Sequence, residues 1–422
     1  MRVFLQTFGC RANHYDSQTA RAMIERAGHA VVADAADADV AIFNSCAVTA
    51  EAEADLRRAV RRAARSQPRI RSVIMGCATG FAAHRDDDDL RALPNVDGLI
   101  AGADMGELAA TLQLSPVAAL ARAAAQTSVR ALLRVQDGCD EHCTFCATTL
   151  ARGANRSRPA DAIVAEALSL AEHHEEIVIT GIHIGSYGRD VGSSLGELLE
   201  RLVHDVPRVR FRLSSVEATE VDDCLFALLA GDRQRVAPHL HAPLQSGSDA
   251  VLKRMGRHWY TAERYAHVVE RLAARGSVLG LGADIIVGFP GETDDDYART
   301  VALVERLPFT YLHVFPFSRR PGTAAAERLG AVVPSQIATD RARELRELAA
   351  AKAAAYRVSR IGGLADVIVV RGPSHRHERE GITEDYLSVL PEPSSIPRGT
   401  RFSARLRAAD DRLSAVALAP SP

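Results

Sequence analysis

The chain has 422 residues, a formal net charge of −2, 47% hydrophobic and 25% charged residues. That length exceeds one ordinary domain and predicts two or three, with the composition of soluble globular chains. No run of about 20 apolar residues exists, which excludes a spanning helix, and the near-neutral charge does not by itself announce a nucleic-acid partner.

Met1-Arg2-Val3-Phe4-Leu5 enters a strand pattern directly and does not read as a signal peptide. Seven cysteines without such a signal point to a reducing compartment, the cytoplasm, and to metal or redox use. Residues 3–7 read as a strand followed by Gly9-Cys10, and 13–27 as a helix ending at Gly28. Residues 40–43 form a second strand, followed by Asn44-Ser45-Cys46, and Thr49 is placed to cap a helix over 50–65. Residues 73–75 form a third strand, followed by Gly76-Cys77. A strand at 96–100 and a helix at 104–112 complete the repeat. This alternation predicts a parallel sheet covered by helices.

Cys10, Cys46 and Cys77 each stand just past the carboxyl end of a predicted strand, where open α/β sheets bind ligands. Convergence of three thiols there implies an Fe–S cluster; unrelated buried cysteines are the alternative. Arg58, Arg61, Arg62 and Arg65 share one helix face, read as solvated, with RNA phosphates as the alternative. Asp86 to Asp89 is read as a solvated acidic loop, and 118–125 as an Ala-rich connector.

Residues 132–135 deliver the loop Cys139-Asp140-Glu141-His142-Cys143-Thr144-Phe145-Cys146. Its C-x₃-C-x₂-C spacing lets three thiolates hold three irons of a [4Fe–4S] cube. The fourth iron is left open for a small molecule, as at a catalytic metal. A closed zinc knuckle would need a fourth ligand, which the loop lacks. Gly138 permits the sharp turn into the loop. Further strands are expected at 177–180, 209–213, 239–241, 283–287 and 311–315, with helices at 160–172, 195–204, 262–275 and 293–305. Six βα units of this kind predict a partial (β/α)6 barrel, with its site in the loops after the strands. In those loops Gly181 offers close backbone approach, Ser215 and Glu217 offer acceptors for ribose hydroxyls, Gln245 a polar contact, and Phe145 backbone against an adenine. His183, His239 and His241 read as satisfied structural histidines, and Cys224 as core in an apolar helix over 221–229.

The cysteine loop resembles that of the radical S-adenosylmethionine (SAM) superfamily, in which the open iron chelates SAM and its cleavage yields a 5′-deoxyadenosyl radical. Phe8-Gly9-Cys10-Arg11-Ala12-Asn13, Asn44-Ser45-Cys46-Ala47-Val48-Thr49, Met75-Gly76-Cys77 and the run Gln136-Asp137-Gly138-Cys139 through Arg156-Ser157-Arg158 together resemble the methylthiotransferases. That resemblance covers almost the whole chain. It implies two [4Fe–4S] clusters, on Cys10, Cys46 and Cys77 and on Cys139, Cys143 and Cys146, with SAM as cofactor. It implies insertion of a methylthio group and partners comprising tRNA through its anticodon loop, a reductant protein and a sulfur donor. Asn44 to Thr49 and Thr180 to Gly188 most resemble the branch acting on N6-threonylcarbamoyladenosine 37. Neighbouring branches act on isopentenyladenosine or on ribosomal protein S12. A non-catalytic Fe–S carrier or RNA-binding protein is the alternative outside the enzymes.

A long helix is expected over 334–357, then strands at 365–370, 381–389, 400–406 and 413–418. They predict a small all-β module of barrel type, which resembles the TRAM module of the family. Its arginines are nearly balanced by acids, and Tyr386 and Phe402 are expected to offer base-stacking faces. The expected domains are 1–117, 125–360 and 361–422.

Overall fold

The structure is a computed structural model that describes residues 1–47, 49–84, 89–115, 125–276, 278–327, 332–372, 379–410 and 412–418. Val48, the aspartates at 86–88, most of the connector at 118–125 and Arg376 lie outside the described residues.

The first body is a five-stranded, all-parallel sheet of β1 (Arg2–Thr7), β2 (Ala30–Val32), β3 (Val40–Ser45), β4 (Arg71–Gly76) and β5 (Val96–Ala101), in the order β2-β1-β3-β4-β5. Its central strand is buried along its whole length, as expected of a strand covered by helices on both faces. Helices Arg11–Arg26, Ala50–Ser66 and Met105–Thr111 pack there in two apolar layers. Thr49 caps the second helix, its hydroxyl accepting from the Ala52 N–H at 3.2 Å. Leu56, Ala59, Val60 and Ala63 bury its inner face, while Arg58, Arg61, Arg62 and Arg65 face solvent. Arg58 there pairs with Glu51 and Asp55.

The second body carries β6 (Ala131–Arg134), the short ribbon β7 (Gln136–Asp137) and β8 (Arg156–Ser157), then β9 (Glu176–Thr180), β10 (Arg210–Leu213), β11 (His239–His241), β12 (Gly280–Val287) and β13 (Tyr311–Pro316). Strands β6, β9 and β10 form one parallel sheet, and β11, β12 and β13 another. Parallel bridges Phe211↔Val236 and Ser215↔His241 join them into an open six-stranded barrel. Helices packed outside bury one contiguous apolar core that includes Leu133, Ile179, Phe211, Leu240, Ile285 and Val314. Alternate strand residues face inward. That interior is polar at its base, where Glu176, Arg210 and Arg212 are fully buried. At the open side, helix Arg11–Arg26 seats Tyr15 against Leu132 and Val178, and the Tyr15 hydroxyl donates to Glu166 at 3.0 Å.

The 25-residue helix Ser335–Ser359 leads to the third body, a closed five-stranded barrel of β14 (Leu364–Arg371), β15 (Glu380–Thr383), β16 (Ser388–Glu392), β17 (Arg401–Ala409) and β18 (Arg412–Ala417). The single strand expected over 381–389 is in fact two. The chain turns at Tyr386, with φ +73°, and the Thr383 hydroxyl accepts the Leu387 N–H at 2.8 Å. The expected stacking role of Tyr386 is also corrected. Its ring is directed at the barrel interior, 4.6 Å from the ring of His239, with Arg130 and Arg212 over its faces. Phe402 is partly buried against the core of its own barrel. This third body docks through Arg210, which donates to the Asp366 carbonyl at 2.9 Å, and Arg212, which donates to the Thr383 and Glu384 carbonyls at 3.0 Å each.

Candidate active site

Cys10, Cys46 and Cys77 follow β1, β3 and β4, three neighbouring strands whose carboxyl ends lie side by side. Cys10 precedes helix Arg11–Arg26 and Cys77 opens helix Cys77–His84, which the sequence pattern did not predict. The sulfurs of Cys10 and Cys77 lie 4.0 Å and 3.8 Å from the same atom, Oδ1 of Asn13. Asn13 is anchored from its other end, where Nδ2 donates to the carbonyls of Phe8 and Ser45 at 2.9 Å and 2.7 Å. Burial pushes the Cys77 thiol up to about 11; Arg152 pulls it down, and the neighbouring Cys10 and Cys46 push it up. All three predicted cysteines therefore meet in one place.

The second set sits on the loop between β7 and β8. Gly138 enters it at φ +75°, and an added Cβ there would stand 1.9 Å from the Ala154 carbonyl oxygen, so only glycine fits. Each sulfur receives a donor. The Glu141 N–H reaches Cys139 at 3.4 Å, the Thr148 N–H reaches Cys146 at 3.3 Å, and Arg257 reaches Cys143 at 3.5 Å. Burial pushes the Cys143 thiol up to about 12, and the Arg257 charge opposes it. N–H groups and a guanidinium on sulfur suit thiolates that bind a metal cluster, since they stabilise negative charge on sulfur. Three such sulfurs without a fourth ligand on the loop fit a [4Fe–4S] cluster with one open iron.

The two sets share a wall. Ala47, Cys77, Phe81, Ala147 and Ala151 form one buried apolar seam. Helix Cys77–His84 and helix Thr148–Arg152 touch at Gly80, where a Cβ would lie 2.4 Å from the Ala151 carbonyl oxygen. Arg152, six residues past Cys146, crosses this seam. It donates to Cys77 Sγ at 3.3 Å, Asn13 Oδ1 at 2.6 Å and Asp16 Oδ2 at 2.9 Å, and pairs with Asp137 at 3.4 Å. A cavity of about 400 Å³ opens beside the seam, lined among others by Thr49, Phe145, Cys146, Gln245, Asp284 and Phe315. On its wall Asp284 pairs with His241 at 3.1 Å and His313 at 3.2 Å.

Of the five residues expected around SAM, Phe145 and Gln245 line this cavity. Gly181 packs against the Gln136 backbone, and Ile182 and His183 donate their N–H groups to the Gln136 side chain. Ser215 is exposed and bridges to His241 through its backbone. Glu217 accepts from Arg257 and, at 2.8 Å, from Trp259, so its carboxylate is tied to the residue that touches Cys143. His183 links Cys139, at 3.5 Å, to Glu220, at 3.0 Å, and His239 and His241 both share the Tyr311 hydroxyl. Cys224 is half-buried at the start of helix Asp223–Ala230, beside Gly196, rather than in the core as expected. Asn13, Arg152 and Arg257 were missed as site residues. An arginine reveals itself as a sulfur donor only once folding brings its partner near.

An open parallel barrel with a C-x₃-C-x₂-C loop at the mouth is the arrangement of radical SAM enzymes, and comparison with known proteins agrees. Residues 133–304 match the Radical SAM superfamily and residues 2–102 match Uncharacterized protein family UPF0004. The fold superposes with TM-score 0.57, at 16% identity and over 77% of each chain, on the radical S-adenosylmethionine methyltransferase TsrM from Kitasatospora setae. Threonylcarbamoyladenosine tRNA methylthiotransferase MtaB of Thermotoga maritima is 37% identical, over 88% of each chain. Its Bacillus subtilis counterpart is 33% identical over 92% of this chain and 90% of its own. tRNA-2-methylthio-N(6)-dimethylallyladenosine synthase of an Anaeromyxobacter species is 33% identical over 96% and 91%. The chain belongs to the radical SAM methylthiotransferase family, enzymes that use SAM and a [4Fe–4S] cluster. No described helix is long and apolar enough to cross a membrane.

Proposed function

We propose that this chain methylthiolates C2 of N6-threonylcarbamoyladenosine 37 in tRNA, using two [4Fe–4S] clusters, one on each cysteine set. The observation that carries the reading is the shared seam: Arg152, on the helix that follows Cys146, reaches Cys77, and one cavity is lined by Cys146 of the second set and by Thr49, three residues past Cys46. A cluster on Cys139, Cys143 and Cys146 with SAM bound would supply hydrogen abstraction, and a second on Cys10, Cys46 and Cys77 would carry the sulfur. The protein's own part is placement and exclusion of water. Asn13 and Arg152 fix Cys77, and Arg257 fixes Cys143 while held by Glu217. Phe145 and Gln245 border the space for SAM, with Gly181, Ser215 and Glu217 in the surrounding loops. No side chain is assigned as a general acid or base.

The choice among substrates is supported by the threonylcarbamoyladenosine tRNA methylthiotransferase relatives, at 37% and 33% identity. Among the described residues, Asp284 is the one charged residue on a cavity wall otherwise made mainly of apolar side chains, among them Phe145, Ile286, Phe315 and Phe317. His241 and His313 pair with that carboxylate. The target base must leave its stack to reach the cavity. The reading places the enzyme in the cytoplasm, with a reductant protein and a sulfur donor as partners, and assigns domains 1–117, 125–360 and 361–422. Mass spectrometry of tRNA nucleosides from a strain lacking the gene tests it. Loss of the 2-methylthio form of threonylcarbamoyladenosine is expected, and loss of a methylthiolated isopentenyladenosine or ribosomal protein instead would contradict it.

A further inference from the structure

A second cavity, of about 390 Å³, lies where all three bodies meet. The N-terminal helix contributes Arg11, His14 and Gln18, the start of the open barrel contributes Thr127 and Arg130, and the closed barrel contributes Arg398. No carboxylate is among its lining residues. The junction is fastened by neutral contacts. Gln18 donates to the Thr127 hydroxyl at 2.8 Å and accepts the Thr127 N–H at 3.2 Å. Arg398 donates to the carbonyls of Thr127 and Val370 at 3.3 Å. Arg11 donates to the Tyr386 hydroxyl at 3.2 Å.

Those contacts orient the guanidinium groups without neutralising them. Among the described residues, neither Arg11 nor Arg398 forms an ion pair. Arg130 is compensated differently: its Nη1 is buried and ion-paired with Glu176 at 3.7 Å, beyond hydrogen-bond reach, and its guanidinium lies over the Tyr386 ring. That leaves Arg11 and Arg398 as two like charges at one opening, and an anion between them would relieve their repulsion. Guanidinium forks match the oxygens of a phosphate.

We infer that this junction binds a phosphate of an RNA backbone, so that one contact bridges all three bodies and orients the substrate beside the Cys10 loop. The inference rests on the reading of the chain as a tRNA-modifying enzyme and adds a contact that reading does not require. Phosphate contacts position a nucleic acid without reading its sequence. Removing one should weaken binding of every RNA alike and flatten the salt dependence.

The test uses the full chain and an anticodon stem-loop RNA, with affinity measured across a salt series. Arg398 is exposed, outside the cysteine sites, and replaceable without disturbing a core. Arg398→Gln should bind about fivefold more weakly, and the slope of log K against log salt should fall by about 0.7–0.9. Arg398→Lys should restore the slope. Equal affinity and slope in wild type and Arg398→Gln would overturn the inference while leaving the proposed function standing. A wild type that binds no RNA would overturn both. Inorganic phosphate is the second probe. Displacement of the RNA by phosphate from wild type but not from Arg398→Gln is expected; if phosphate bound wild type at low millimolar concentration without displacing the RNA, the site would belong to a free phosphate and the assignment to RNA would fail.

Discussion

Replacing Arg152 by methionine removes one guanidinium and keeps most of the side-chain volume. Arg152 is buried, with its side chain 1% exposed. The donor lost by Cys77 is charged and 3.3 Å away. Hydrogen bonds to charged groups contribute about 1.5–3 kcal/mol, which is roughly a ten- to hundredfold change in an equilibrium constant. Asp16 and Asp137 do not become orphans, because Arg134 pairs with them at 2.5 Å and 3.3 Å. The fold should therefore survive, and the loss should fall on the N-terminal cysteine site. The assay is an anaerobic chelator titration in a chain whose Cys139, Cys143 and Cys146 are alanine, so that only iron on Cys10, Cys46 and Cys77 is followed. Arg152→Met should release that iron at about ten- to hundredfold lower chelator concentration, with Arg152→Lys in between. Superimposable titrations would refute the reasoning.

Reconstituted anaerobically, the chain should hold about eight irons. Alanine at Cys139, Cys143 and Cys146 should remove about half and abolish SAM cleavage; iron analysis and product chromatography check both. Glu176→Gln should destabilise the docking of the closed barrel by about 3–5 kcal/mol, because Arg212 would stay buried without its counter-charge and Arg210 would keep only Asp366, at 3.3 Å. Limited proteolysis in the helix Ser335–Ser359 reports it. Burial pushes the Glu176 carboxyl up, but Arg212 and Arg210 outweigh it and hold it below 4.5. A depressed carboxylate contributes its stability in full above about pH 4.5 and loses it as pH falls further. Wild type should thus lose protection below that pH, and Glu176→Gln should already lack it at pH 7. Cys224→Ser should leave the iron content unchanged and shift stability by under about 1 kcal/mol, since the thiol is only half-buried; iron analysis and thermal melts test it.

Most of the architecture was legible because periodicity and punctuation agreed. Apolar runs such as 40–43 and 283–287 ended in Asn-Ser-Cys and Gly-Phe-Pro, and a strand followed by a polar loop is hard to mistake. The short edge strand Ala30–Val32 was not, since three residues carry no period. The turn at Tyr386 was hidden because an aromatic residue at positive φ is rare and nothing local announces it. At the site, the cysteines were legible from spacing and from position after strands. Arg152 and Arg257 were not, because their partners stand 75 and 114 residues away. Glu217 was read as a ligand acceptor, yet its oxygens face Arg257 and Trp259, a pairing only the fold creates.

The central claim is a division of labour between the two cysteine sets, and one variant separates them. With Cys10, Cys46 and Cys77 all replaced by alanine, the anaerobically reconstituted chain should still release 5′-deoxyadenosine from SAM in the presence of a reductant. Incubated with tRNA, it should form no methylthiolated adenosine. Methylthiolation of tRNA by that triple variant would contradict the account, because sulfur would then reach the base without the strand-end cysteines.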